Sequence, residues 1–250
     1  MAAQENPKLK PQRLPKTPVF ARVQNERNIA GKGAYEVAFD LAHDVQVNFR
    51  GPTGPVAVDA VTSDLLDVAL AVFFIERDLR KPAATNRIRK ISARLPVRRP
   101  EVWRPVRPVL ESLLGFMGGH GWSVSFVRSK LAPRSAARTE PEAKEIVSLH
   151  SGGLDSTCGL ASLRSAAPTV QLTSFYTSQR RLQEEIAADL GFDEPSILRA
   201  VWRKKENRRG RGGFAYRSFL FLSIATLVAR SFQARRIFQF ENGFLVPRFR

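Results

Sequence analysis

Seven consecutive residues, Ser151, Gly152, Gly153, Leu154, Asp155, Ser156 and Thr157, combine the types needed to hold a pyrophosphate. Two adjacent glycines let the backbone turn tightly and bring amide N–H groups to an anion without a Cβ in the way. The hydroxyls of Ser151 and Ser156 add donors, and the Asp155 carboxylate can hold a magnesium ion that neutralises the departing pyrophosphate. No Gly-Lys-Ser/Thr follows, so the loop is not of the Walker type. The chemistry it suggests is cleavage between the α- and β-phosphates of ATP, with AMP passing to a substrate. The plainer alternative is a Ser/Gly turn in which Ser156 caps a helix.

Such a loop works only if a strand delivers it and a helix leaves it. Residues 145–149 read as a buried parallel strand, and residues 156–165 suit a helix whose positive end points at the loop. Ligands of open α/β sheets bind at that carboxyl edge. Leu149 and His150, at the strand end, are therefore expected beside the nucleotide, although a packed strand-end histidine is the alternative for His150. Further strands are expected at 169–176, 196–201 and 236–240, and helices at 179–190 and 214–231. The alternation implies a parallel sheet. The apolar stretch 218–229 is too short to span a bilayer and reads as a buried helix.

Ahead of this domain, residues 45–49 and 88–97 read as strands, as does 122–127. A helix is expected from Ser63 as N-cap through Ile75, with Asp64 and Asp67 suiting its positive end. A second helix is expected between Pro100 and Met117, ended by Gly118 and Gly119, with Pro105 and Pro108 breaking or kinking its first half. The organisation expected is a basic, Pro-containing tail over 1–33, a small α+β module over 34–128, a linker over 129–144 and an α/β nucleotide domain over 145–250. Trp103 and Trp122 are assigned to the module's core.

Forty Lys plus Arg against 23 Asp plus Glu give a net charge of +17, a field that attracts polyanions. Arginine-rich solvated faces are the plainer reading of that charge. Cys158 is the only cysteine; one thiol makes no internal disulfide and no thiolate zinc site, and fits a reducing cytoplasm. It is expected to be a small helix residue facing the sheet. The run 203–211 carries six basic residues and one acid, and either closes over phosphates or stays solvated.

Residues 151–156 resemble the PP-loop of ATP pyrophosphatases. The segment from Val170, with Ser174, Phe175 and Tyr176, then Gln179, Arg180 and Glu184, is similar to the second strand and helix of 7-cyano-7-deazaguanine synthase (QueC). Tyr216, Arg217 and Ser218 resemble the Arg-containing start of that family's long helix. Glu241, Asn242 and Gly243 resemble the Glu-Asn-Gly segment of QueC-like proteins of antiphage islands, the Qat type, whose N-terminal extension is similar to residues 36–127. The resemblance implies an adenine-nucleotide alpha hydrolase-like fold and an enzyme that adenylates a 7-deazaguanine carboxylate for attack by a nitrogen nucleophile, ammonia or a protein amine. It implies roles for Asp155 and Arg217 in catalysis and for Tyr176 in nucleotide binding, with ATP and Mg2+ as the bound species. The four-cysteine zinc site of the housekeeping family has no counterpart, so zinc is not expected.

Relatives continue past Gly243, which implies a truncated chain or a site completed by a partner protein from the same operon. Two other functions are weighed: a tRNA-modifying PP-loop enzyme, on the charge, and a non-catalytic nucleotide-binding interaction module. Nucleic acid is thus a partner of the second rank, and a membrane is not a partner.

Overall fold

The computed structural model describes residues 18–25, 35–50, 54–79, 88–138, 143–166, 170–175, 180–192, 197–204 and 215–241. They form a mixed α/β chain with two larger sheets. The first sheet contains β1 (Pro18–Asn25), β2 (Tyr35–Asp40), β5 (Arg89–Val97) and β6 (Gly121–Arg128) in the order β2-β1-β5-β6. β1 runs antiparallel to both neighbours, and β5 pairs in parallel with β6. Residues 18–25 of the tail expected over 1–33 are therefore a strand of this sheet, and the rest of that stretch lies outside the described residues. Val19, Ala21 and Val23 are buried while Phe20 and Arg22 are exposed, the period-two pattern of a strand with one covered face.

Helix α1 (Ala60–Asp78) covers the inner face and contacts both β5 and α5 (Arg217–Ser231). Every residue from Leu66 to Ile75 is buried. A helix apolar on nearly all sides is one packed between layers. Its cap is Asp59 rather than Ser63: Thr62 N donates to Asp59 Oδ1 at 2.9 Å, and Ser63 lies a turn inside, its Oγ accepting from Arg134 N at 2.9 Å. Asp64 and Asp67 do not serve the helix end either. Both are buried, and Arg98 Nη1 donates to Asp64 at 2.9 Å and to Asp67 at 2.7 Å, while Arg134 Nε reaches Asp67 at 2.5 Å. Asp64 also accepts from the amides of Arg98 and Arg99.

Helix α2 (Pro100–Gly118) runs unbroken through Pro105 and Pro108 and closes on Gly119 at φ +65°. The prolines cost only the bonds to the carbonyls of Glu101 and Arg104, residues on the exposed side where water can replace them. Trp103, Leu110 and Leu114 form its buried face, and Trp103 and Trp122 both lie in the core as expected.

The second sheet has the order β11-β8-β9-β10-β3, from β11 (Arg236–Phe238), β8 (Ile146–His150), β9 (Val170–Phe175), β10 (Ile197–Lys204) and β3 (Val45–Arg50). The first four are mutually parallel, in line with the expected alternation. β3 joins antiparallel to β10, so a strand of the N-terminal segment completes the C-terminal sheet. The 129–144 segment likewise holds β7 (Ser135–Arg138), paired with β4 (Gly54–Ala57). The two halves share one core, which takes in Val147 and Leu149 of β8 and the buried face of α5. A smaller cluster of Ile146, Leu160, Leu163 and Ala187 lies under α3 (Leu154–Ala166) and α4 (Arg180–Asp189). No helix among the described residues is long and apolar enough to cross a membrane.

Candidate functional site

Strand β8 is buried along its whole length and ends at His150, and α3 begins at Leu154. The loop between them turns on Gly152, whose φ of +78° lies in the left-handed region where a side chain is strained. A Cβ there would also approach Gln183 Cγ to 3.0 Å. The loop is tied by its own hydroxyls: Ser151 Oγ and Ser156 Oγ lie 3.0 Å apart, and Gly153 N donates to Ser151 Oγ at 3.2 Å. The Gly153 carbonyl accepts from Ser156 Oγ and Thr157 Oγ1 at 2.9 Å each and from Thr157 N at 3.0 Å. That carbonyl points into the helix, so the first-turn amides of Leu154, Asp155 and Ser156 point the other way, towards the loop's open side.

Ser151, Gly153 and Leu154 are exposed, Asp155 is half-buried and Ser156 is buried. Leu154 is 78% exposed, an apolar side chain beside the loop with nothing of the core to cover it. Leu149 and His150 do not join this surface. Leu149 enters the main core, and His150 is fully buried with its Nε2 3.0 Å from the Gln183 carbonyl. Burial holds the His150 imidazole below its ordinary value of 6.5, against the bond to Gln183, which favours the charged form. A carbonyl can only accept, so Nε2 carries the proton.

Gln183 is a residue that the sequence reading did not single out. It is 3% exposed on the amphipathic α4, donates through Nε2 to the Ser151 carbonyl at 2.9 Å and packs beneath Gly152. A polar residue one turn from the buried Ala187 of α4 was the available signal. Gln183 holds the loop from below through both its main chain and its side chain.

Arg217 opens α5. The far end of that helix is tied to the amino edge of the sheet, where Lys144 N donates to Phe232 O at 3.0 Å and Arg235 N to Glu145 O at 3.2 Å. Its N-terminus consequently lies towards the carboxyl edge, the side of the loop. The Arg217 guanidinium is exposed and sits 5.1 Å from the centre of the Phe221 ring. Neighbouring Tyr216 is buried and anchors the helix start: Trp122 Nε1 donates to its hydroxyl at 2.8 Å, and the hydroxyl donates to Leu114 O at 3.1 Å. A Cβ on Gly118 would overlap that hydroxyl. Cys158 is exposed, contrary to the expectation that it faces the sheet; Ser156, Gly159, Leu160 and Leu163 take the buried positions of α3. Tyr176, residues 205–211 of the basic run, and Asn242 and Gly243 lie outside the described residues.

Among the described residues no three His, Cys, Asp or Glu side chains gather as a metal group. A cation here would rest on the Asp155 carboxylate and on phosphate oxygens, the manner in which Mg2+ is ordinarily held. A concavity of about 530 Å³ lies on the open face of the first sheet and is lined by Phe20, Arg22, Glu36, Ser92, Arg94 and Ser123. Arg94 stacks over Phe20, 4.9 Å from the ring centre. No family model matches the chain, and no curated protein or solved structure matches it.

Proposed function

We propose that the loop 151–157 binds ATP and that the chain is a QueC-like PP-loop enzyme with an adenine-nucleotide alpha hydrolase-like fold, adenylating a 7-deazaguanine-type carboxylate. The observation that carries this reading is the strand–loop–helix arrangement itself. A left-handed Gly152, two facing serine hydroxyls and the start of α3 follow directly on the end of β8 in a parallel sheet, where helix N-termini favour anions. In the reaction, a substrate carboxylate oxygen attacks the α-phosphorus of ATP and the bond to the β-phosphate breaks. Pyrophosphate leaves and an acyl-adenylate remains. A nitrogen nucleophile then attacks the acyl carbon, AMP departs and the nucleophile loses a proton. Donors fixed on the leaving pyrophosphate lower the first barrier. Magnesium, when bound, neutralises the phosphate charge. In this reading Asp155 would hold it, and the exposed Arg217 at the start of α5 would meet phosphate or carboxylate. The test is pyrophosphate release from Mg-ATP in the presence of deazaguanine acids. Release by the wild-type chain and its loss in Asp155→Ala support the reading; ATP binding without release for every such acid would overturn the enzymatic part.

The alternative of a nucleic-acid-modifying PP-loop enzyme is favoured by one observation, the basic and aromatic concavity at Phe20, Arg22 and Arg94. It predicts tRNA affinity that falls steeply with salt and is weakened by Arg22→Ala and Arg94→Ala. Equal retardation of wild type and both variants in a gel shift sinks it.

A further inference from the structure

On the face of the first sheet turned away from the core, side chains fall into rows that run across the strands. The pairing register sets Phe20 of β1 opposite Arg94 of β5, and Arg94 beside Ser125 of β6. One step along, Arg22 stands between Glu36 of β2 and Ser92 of β5, with Ser123 next in line. All of these residues are exposed, and together they line the concavity of about 530 Å³. The hollow has a simple origin. Ser92, Ser123 and Ser125 are short and leave space beside the long arginines and the phenyl ring.

Two features of this hollow point to the chemistry of its occupant. Phe20 is 41% exposed in a hollow otherwise lined by polar residues and alanine, and the Arg94 guanidinium lies over its ring, 4.9 Å from the centre. A guanidinium stacked on a ring is a planar platform, and nucleobases stack on aromatic rings and on arginine planes. The surrounding charge suits phosphate: Arg22, Arg94 and Lys90, exposed one row further along β5, outnumber the acid of the lining, Glu36. The volume suits about one or two nucleotides. A duplex would not use the platform, because its bases are stacked inside and present only their edges. We propose that this concavity binds single-stranded nucleic acid, with one base stacked on the Arg94–Phe20 pair and a flanking phosphate on Arg22. The inference takes from the second reading above only that nucleic acid meets this face, not that the chain modifies it.

Stacking and phosphate contact leave separate marks on binding. Each phosphate neutralised on a single strand steepens the fall of affinity with salt by about 0.7 in the logarithmic slope, whereas a stacked base adds affinity that salt does not screen. Phe20→Ala is therefore expected to weaken binding about tenfold with the slope unchanged. Arg22→Ala should weaken it and lower the slope by about 0.7. Arg94→Lys keeps the charge but loses the plane, so it should behave like Phe20→Ala. Phe20→Tyr keeps a ring and should bind as wild type does.

Fluorescence anisotropy of the full chain tests the proposal, with uridine and thymidine oligomers of about eight nucleotides and a stable duplex as probes, from about 50 to about 200 mM salt. Circular dichroism and melting temperature check each variant's fold, and Arg94→Lys serves if Phe20→Ala does not fold. The expected result is binding of the single strands in preference to the duplex, weakened by Phe20→Ala and Arg94→Lys at constant salt slope. A wild-type chain that binds neither single strand at the lowest salt, or binds the duplex as tightly, overturns the proposal. Weakening by Arg22→Ala alone, with Phe20→Ala and Arg94→Lys at wild-type affinity, overturns the stacked base and leaves the second reading in place. Wild-type affinity in all three variants removes the concavity as a nucleic-acid site and takes that reading with it.

Discussion

The polar residues around α1 and those around the 151–157 loop are built in opposite ways. Asp64 and Asp67 are almost wholly out of water, and their oxygens are taken up by Arg98, Arg134 and the amides of Arg98 and Arg99. This cluster joins α1 to the end of β5 and to the chain before β7, inside the larger core. The loop, in contrast, rests on the four-residue cluster of Ile146, Leu160, Leu163 and Ala187, and one glutamine clasps it from below. Its hydroxyls bond within the loop, while Ser151 and Gly153 stay exposed. Charge in the first region is consumed by a buried cluster, while the second is a surface loop tied mostly to itself. The first should therefore govern stability and the second ligand affinity.

Removing an Asp64 oxygen pair sharpens this contrast most. Asp64→Ala leaves Arg98 buried beside a single remaining carboxylate, and a loss of about 3–5 kcal/mol is expected in urea unfolding. A loss under about 1 kcal/mol would mean that the cluster is solvated and the contrast mistaken. Gly152→Ala comes next. Its φ of +78° and the nearby Gln183 make about 1–2 kcal/mol of destabilisation expected, together with loss of Mg-ATP affinity.

Acid supplies a smaller perturbation of the loop's support. His150 is held neutral by burial, with its folded value below the ordinary 6.5. The unfolded chain thus binds this proton more readily, so stability is intact above pH 6.5 and falls as pH drops through that value towards the folded one. Burial shifts His120 in the same direction. His150→Asn should flatten part of the fall between about pH 7 and 5, measured by urea midpoints; an unchanged slope would remove His150 from the account. The smallest stability effect is expected for Asp155→Ala, within about 0.5 kcal/mol of wild type, with pyrophosphate release lost.

Much of the fold was legible in local pattern. The loop's strand and helix, the parallel alternation and the apolar α5 all follow from periodicity and Gly placement. What escaped were features decided by distant partners. β1 has the alternation of a strand, but Pro18 and its basic surroundings hide it, and its place between β2 and β5 depends on residues such as Ile91 paired with Val23. β3 was legible as a strand; that it completes the C-terminal sheet beside β10 was not, since alternation says nothing about which edge a strand joins. Asp64 and Asp67 looked like helix-end carboxylates because their partners, Arg98 and Arg134, lie over thirty residues away. At the candidate site the loop residues were readable, while Gln183 and the inward turn of His150 depend on the docking of α4.

Hydrogen–deuterium exchange of the full chain with and without Mg-ATP tests the central claim most directly. The loop and the first turn of α3, residues 151–157, are predicted to slow on addition of nucleotide, with α1 and β5 unchanged. Equal exchange at 151–157 with saturating Mg-ATP, or protection confined to the concavity at Phe20 and Arg94, would contradict it.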